Sequence, residues 1–304
     1  MSPVSSHGWR IALLTVSADV VNVFHHVLRE RGHELVALVL PPGPDGSRPR
    51  HPSAWTPMVN VLHAAPPGVD VLIASQRDRL APLLTSARPD LLLSFFFPWR
   101  VPPEALAVAP LGAINVHPSL LPHHRGPNPL GWTLRNHEPE VGMTFHRMDA
   151  NFDTGPVLIQ GTRPIADSDS AEDVVRKAME LSMELLPEAL SRVQWRDEGE
   201  TQSNTEASYA GMFEDSYREL DWSAPAREVH LRARACAVSS WKGMPRIAYA
   251  SIEGRRVRIQ RTQLTEERDH EAAAPGTVLD RQGEMRLVQC GDGALWVTPG
   301  ALDP

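Results

Sequence analysis

Apolar positions form unbroken runs at residues 10–16 and 34–40, and between them Val20, Phe24, Val27 and Leu28 recur at helical spacing. Runs without polar alternation suit strands covered on both faces, which is the habit of parallel sheets. Ser17 or Asp19 can accept the free amides of the intervening helix, and Gly32 suits a left-handed cap at its end. Strand, capped helix and strand make a right-handed βαβ unit. Further strands are predicted at 69–74, 90–97 and 113–117, with a helix over 77–87. Segments 141–148 and 156–165 are extended and bracket a turn from Asp149 to Gly155. Ser170 and Asp173 form a capping pattern ahead of Val174, Ala178, Leu181 and Leu185, a helix that Pro187 is expected to bend or end. The pattern predicts an α/β fold with a Rossmann-like, mostly parallel sheet. Ligands of such sheets gather beyond the carboxyl ends of the strands, here residues 97–100 and Asn115 onward.

The pattern changes after residue 200. Residues 201–210 are small and polar and read as a linker. A helical stretch at 224–237 precedes short alternating runs at 246–252, 255–263, 276–279, 285–289 and 294–298, with turn signals at Glu253-Gly254 and Gly291-Asp292-Gly293. The expected organisation is a catalytic domain over 1–200 and a smaller OB-like β-barrel over 211–304. The proline-rich segment 41–52 reads as a surface loop.

Composition narrows the function classes. The chain has 304 residues, 42% hydrophobic and 22% charged, enough to bury a core. Two cysteines cannot build a disulfide framework, no run is long enough to span a membrane, and the first residues lack the basic and apolar regions of a secretory signal. A cytoplasmic enzyme is expected. Net charge is −7, and residues 207–304 carry 13 basic against 14 acidic groups, so neither part presents the cation excess that phosphate neutralisation demands. A small-molecule substrate is favoured.

Candidate chemistry centres on Asn115, His117 and Asp153. Alternate residues of a strand share a face, so an amide and an imidazole can aim at one atom. Asp153, in the neighbouring turn, can fix the imidazole tautomer and favour its protonated form. Donors converging on one point stabilise an oxyanion, the chemistry of acyl transfer. No serine or cysteine is placed to be acylated, so the nucleophile is expected from the substrate, most simply an amine whose proton leaves through His117 or a water held by Asp153.

The run Asn115-Val116-His117-Pro118-Ser119-Leu120-Leu121-Pro122-His123-His124-Arg125-Gly126, with Asp153-Thr154-Gly155 downstream, resembles the 10-formyltetrahydrofolate-dependent formyltransferase family. The likeness reaches the tail through Leu220-Asp221-Trp222, residues 226–230, Trp241, Gly243 and Pro275-Gly276-Thr277. It implies the formyltransferase fold, Asn115, His117 and Asp153 as catalytic triad, 10-formyltetrahydrofolate as cosubstrate and no metal. It further implies a folate pocket walled by Phe97, Pro98, Trp99, Val101 and Leu121 and bounded by the turn of Asp149, Ala150, Asn151 and Phe152. Asn151 stands where the family usually has glycine and is expected to take the left-handed position. Val16-Ser17-Ala18-Asp19, the weakly basic loop 41–52 and Gly126-Pro127-Asn128-Pro129 with Trp132 resemble the small-amine branches more than the tRNA branch.

Formyl transfer to a small amine is therefore the leading expectation. Methionyl-tRNA formylation, formyltetrahydrofolate hydrolysis and a folate-binding protein with a silent site are the rivals. A homodimer is compatible with the sequence. Ser119 and Arg125 are candidates for acceptor binding, Arg125 equally for bracing its loop. His123, His124, His137 and His146 are read as solvated loop residues rather than metal ligands, and Arg255, Arg256, Arg258 and Arg261 as a solvated strand face.

Overall fold

A computed structural model describes residues 8–43, 55–241, 244–245, 247–265 and 273–301. The expected loop at 41–52 lies largely outside them. The first unit runs β1 (Arg10–Leu14), α1 (Ala18–Glu30), β2 (Glu34–Leu40), α2 (Thr56–Ala64), β3 (Asp70–Ile73), α3 (Leu80–Ala87), β4 (Leu91–Phe95), α4 (Pro103–Leu106), β5 (Ala113–His117), α5 (Pro129–Arg135), β6 (Glu140–Arg147), β7 (Val157–Pro164) and α6 (Ala171–Gln194). Its seven-stranded sheet has the order β3-β2-β1-β4-β5-β6-β7. The first five strands are parallel, and β6 and β7 return antiparallel.

The apolar runs do what their lack of alternation implied. Ile11 and Leu13 join the layer packed under α1 and α6, while Ala12 and Leu14 face α3 and α4. Both faces are covered, and each fully buried leucine contributes about 1.5–3 kcal/mol. Ser17 caps α1 by accepting the Val20 N–H, and Gly32 takes φ +76° as expected. The capping box of Ser170 and Asp173 is formed, but α6 continues past Pro187 to Gln194. Leu186, Ala189, Leu190 and Val193 are buried on both sides of that proline, and this burial outweighs one lost helical bond. Helix α2 has no counterpart among the expected elements: its apolar positions follow a proline-rich segment, and Pro57 sits in its first turn, where the missing N–H costs no bond.

The second unit holds α7 (Ala226–Val238), the short pair β8 (Ser240–Trp241) and β9 (Met244–Pro245), and β10 (Tyr249–Ile252), β11 (Arg255–Leu264), β12 (Val278–Gln282), β13 (Met285–Gln289) and β14 (Ala294–Gly300). Five of these strands pair antiparallel in the order β10-β11-β14-β13-β12. Among the described residues no pairing joins β10 to β12, and these strands make up the separate antiparallel β unit expected for the tail. Its core of Trp222, Val229, Ala233, Ile259, Val288 and Leu295 takes in Leu134 and Val174 of the first unit. Among the described residues no helix is long and apolar enough to cross a membrane.

The stretch read as a linker is structured. Ser208, Tyr209 and Ala210 bond to the loop after β5, and Gln202 is buried. Polar composition suggested solvent, but these polar groups satisfy backbone atoms that the loops after β5 and β6 leave unpaired.

Candidate functional site

Strand β5 lies between β4 and β6, and its carboxyl end delivers Asn115 and His117 to one rim of the sheet. Asp153 arrives from the bend between β6 and β7. Asp149 closes that bend by accepting the Asn151 N–H at 2.9 Å and the Thr154 hydroxyl at 2.7 Å. Gly155 lets the chain pass Arg147, whose carbonyl lies 1.9 Å from where a Cβ would stand. The left-handed residue is Asp153 itself, at φ +57°, and not Asn151. The Asx turn of Asp149 supplies the tight geometry that a glycine would otherwise provide.

Asp153 is 9% exposed and His117 5%. Asp153 Oδ2 accepts the Gly126 N–H at 2.8 Å, and Oδ1 lies 3.5 Å from His117 Nδ1. His117 Nε2 lies 2.8 Å from the His124 carbonyl, a group that only accepts, so Nε2 carries a hydrogen. Nδ1 is therefore the His117 nitrogen left to face Asp153. A separation of 3.5 Å suits an ion pair and is longer than a good hydrogen bond, so an Nδ1 hydrogen there remains open to a ligand.

A fourth group completes the cluster. His146 is buried on β6, directly opposite Asn115 in the strand register. Its Nδ1 faces the Arg147 carbonyl at 2.8 Å, and its Nε2 lies 3.1 Å from Asn115 Nδ2 and 3.8 Å from Asp153 Oδ1. Burial lowers the His146 pKa to about 4, against the opposing pull of Asp153. The ring is thus neutral, with Nδ1–H donating to Arg147 and Nε2 accepting from Asn115. That assignment orients the Asn115 amide. His146 is accordingly no solvated loop residue. His124 is not one either: it is buried, with Nε2 2.6 Å from Glu138. The strand opposite Asn115 was legible in the sequence, but the register that pairs the two residues was not.

The remaining expected residues divide. Ser119 is buried, and its hydroxyl donates to the His123 carbonyl at 2.7 Å, so it shapes the loop and offers nothing to an acceptor. Arg125 spends Nε and one terminal nitrogen on Gln202 Oε1 and the other on Asn204 Oδ1, which is the bracing alternative. Gln202 in turn donates to the carbonyls of Asp153 and Gly155 at 3.0 and 2.7 Å. Trp99, Val101 and Leu121 are buried, the first two in the core beside α3 and α4. Phe97 is half-buried edge-on to Trp99, while Pro98, Ala150, Asn151 and Phe152 are exposed around the cleft. Phe96, one of the aromatic run 95–97 at this strand end, stands at the end of β4 with φ +55° and 40% exposure, stacked on Phe95. A bulky residue in left-handed conformation is strained, and such strain concentrates at functional rims.

The arrangement gathers one amide, two imidazoles and one buried carboxylate into a single cluster, Asn115 linked to it through His146 and His117 through Asp153. It can polarise a carbonyl and accept a proton from a nucleophile.

Comparison with known proteins gives a consistent picture. Residues 10–190 match the family described as formyl transferase, and residues 214–301 match the formyl transferase C-terminal domain. A methionyl-tRNA formyltransferase from Pelobacter propionicus is 33% identical over 277 residues, 89% of this chain and 82% of that protein. Among solved structures, HypX from Aquifex aeolicus in complex with tetrahydrofolic acid aligns with TM-score 0.72 and 21% identity over 95% of this chain, which spans only 43% of HypX. An N-formyltransferase from Helicobacter canadensis, in complex with folinic acid and dTDP-3-aminofucose, aligns with TM-score 0.62 and 18% identity over 95% of this chain and 98% of that one. At such identities the structures speak for the fold alone.

Proposed function

The chain belongs to the formyl transferase family, and from that membership we propose that it moves the formyl group of 10-formyltetrahydrofolate to the primary amine of a small molecule, such as an amino acid, peptide, aminosugar or specialised metabolite. The observation that carries the chemistry is the convergence of Asn115, His117 and Asp153 at the open end of β5. The amine attacks the formyl carbon and the carbonyl oxygen takes up the charge. Asn115 Nδ2–H and His117 Nδ1–H hold that oxygen, each donor worth about 2.7–4 kcal/mol in comparable sites. Asp153, whose Oδ1 lies 3.5 Å from His117 Nδ1, receives, directly or through water, the proton the amine loses. That proton passes on to the folate nitrogen as the carbon–nitrogen bond to the folate breaks, and tetrahydrofolate leaves with that nitrogen neutral. Phe96, Phe97, Pro98 and the exposed tip of the 149–152 turn are the groups assigned to the folate. The domain division at 201–210 is proposed as a boundary of sequence, crossed by contacts that make both parts work together.

A small acceptor is favoured because the tail's arginines have local employment: Arg256 lies over the Tyr249 ring and Arg261 faces Glu172. Methionyl-tRNA is the second reading, favoured by the names of the sequence relatives. Incubating the enzyme with 10-formyltetrahydrofolate and either a panel of amines or methionyl-tRNA, and following tetrahydrofolate release, separates the two. Amine-dependent release is expected. Release stimulated only by charged tRNA would transfer the assignment to the second reading, and release that no acceptor stimulates would indicate hydrolysis.

A further inference from the structure

Tyr209 is 69% exposed, more than any other large apolar or aromatic side chain among the described residues, yet its backbone is held on both sides. The Arg125 N–H donates to the Ser208 carbonyl at 2.9 Å, the Ala210 N–H to the Arg125 carbonyl at 2.7 Å, and the Asn128 N–H to the Ala210 carbonyl at 3.1 Å. The ring lies against Gly126: a Cβ there would stand 2.6 Å from a ring carbon, and the glycine has φ +110°, a conformation other residues rarely adopt. Gly126 is also the residue whose N–H holds Asp153 Oδ2 at 2.8 Å. A fixed aromatic face thus stands open one residue from the group that holds the catalytic carboxylate. An exposed aromatic is ordinary on a protein surface. One clamped by three backbone bonds and fitted to a glycine is placed, and placement removes the ordering cost of stacking.

We propose that the open face of Tyr209 is the platform on which the acceptor lays the ring or CH-rich group adjoining its amine, delivering the nitrogen across Gly126 toward Asp153. The proposal rests on the formyl-transfer reading and deepens it. The acceptor class is an amine carried on a ring or an extended apolar group, in preference to a bare alkylamine. Loss of one such stack, together with the apolar area it buries, is expected to weaken the acceptor roughly tenfold.

The test is steady-state kinetics of the full chain and of Tyr209→Ala and Tyr209→Phe, with a nucleotide-linked aminosugar, methionine amide and methylamine as acceptor probes. Tyr209→Ala is expected to raise acceptor KM about tenfold for whichever of the first two is used, with a far smaller change in KM for 10-formyltetrahydrofolate and in kcat. Tyr209→Phe keeps the ring and should keep the wild-type KM. An unchanged acceptor KM in Tyr209→Ala, or equal rises for acceptor and donor, overturns the platform while leaving formyl transfer standing. A wild-type enzyme that formylates none of the probes and no charged tRNA overturns the transfer reading, and the platform with it.

Discussion

His146 decides how Asn115 presents its amide. With Nε2 as acceptor, the imidazole draws one Asn115 hydrogen to itself and leaves the other for the oxyanion role proposed above. Replacing His146 by leucine removes that anchor while roughly preserving volume. We expect kcat to fall about tenfold with little change in KM for the folate, because one donor loses orientation without being deleted. A loss confined to thermal stability, with kcat intact, would reduce His146 to packing. At this scale the sequence was informative about Asn115, His117 and Asp153, since a strand's alternation and one turn place them. It was misleading about His124, His146 and Ser119, because burial depends on what lies across the sheet, and that is set by register and not by the residue's own neighbours in the chain.

Residues 200–211 act as a strap across the catalytic loops. Gln202 is its buried anchor, bonded to the Asp153 and Gly155 carbonyls and to Arg125. Gln202→Ala strands two buried carbonyls and is expected to cost about 1–3 kcal/mol, measurable by urea unfolding, with a parallel fall in turnover as Asp153 loosens. Helix α7 carries a further buried histidine at the junction of the two units. His230 Nδ1 faces the Thr262 hydroxyl at 2.8 Å and Nε2 the Asp167 carbonyl at 3.1 Å, and burial, reinforced by Arg234, lowers its pKa to about 4. Between pH 6.5 and about 4 the unfolded chain binds a proton at this histidine that the folded chain refuses, so stability falls as pH drops through that window and is unaffected by it above 6.5. Buried His146 acts in the same direction. Thermal melts from pH 7 to 4.5 should show Tm falling with acid, and His230→Gln should flatten part of the slope. An equal slope in the variant would contradict the assignment. Elements were legible wherever their period was long and clean, as in α1, β1 and α6. The strap was misread because composition distinguishes polar from apolar and does not distinguish solvated polar groups from hydrogen-bonded ones.

For the whole molecule, the net charge of −7 and the locally paired arginines argue against a surface built for a polyanion. The value of kcat/KM for a neutral or cationic amine acceptor should therefore change only a few-fold between 50 and 200 mM salt, where a polyanion gripped by many cations would lose orders of magnitude. The order of the elements made the two-unit plan readable. The contacts that join the units were not, since they link residues far apart in sequence, such as Arg227 with Asp167 and Ser239 with Asn128. Deleting everything after Glu200 would remove the strap together with the tail and is expected to abolish turnover.

The decisive measurement is the single-turnover rate of formyl transfer by Asp153→Asn, a change that keeps the shape of the side chain and removes its charge. With circular dichroism confirming the fold, a fall of at least about a hundredfold is expected, comparable to the loss of one oxyanion donor. A rate within threefold of the unaltered enzyme would mean that the cluster at the end of β5 is not where the one-carbon unit moves.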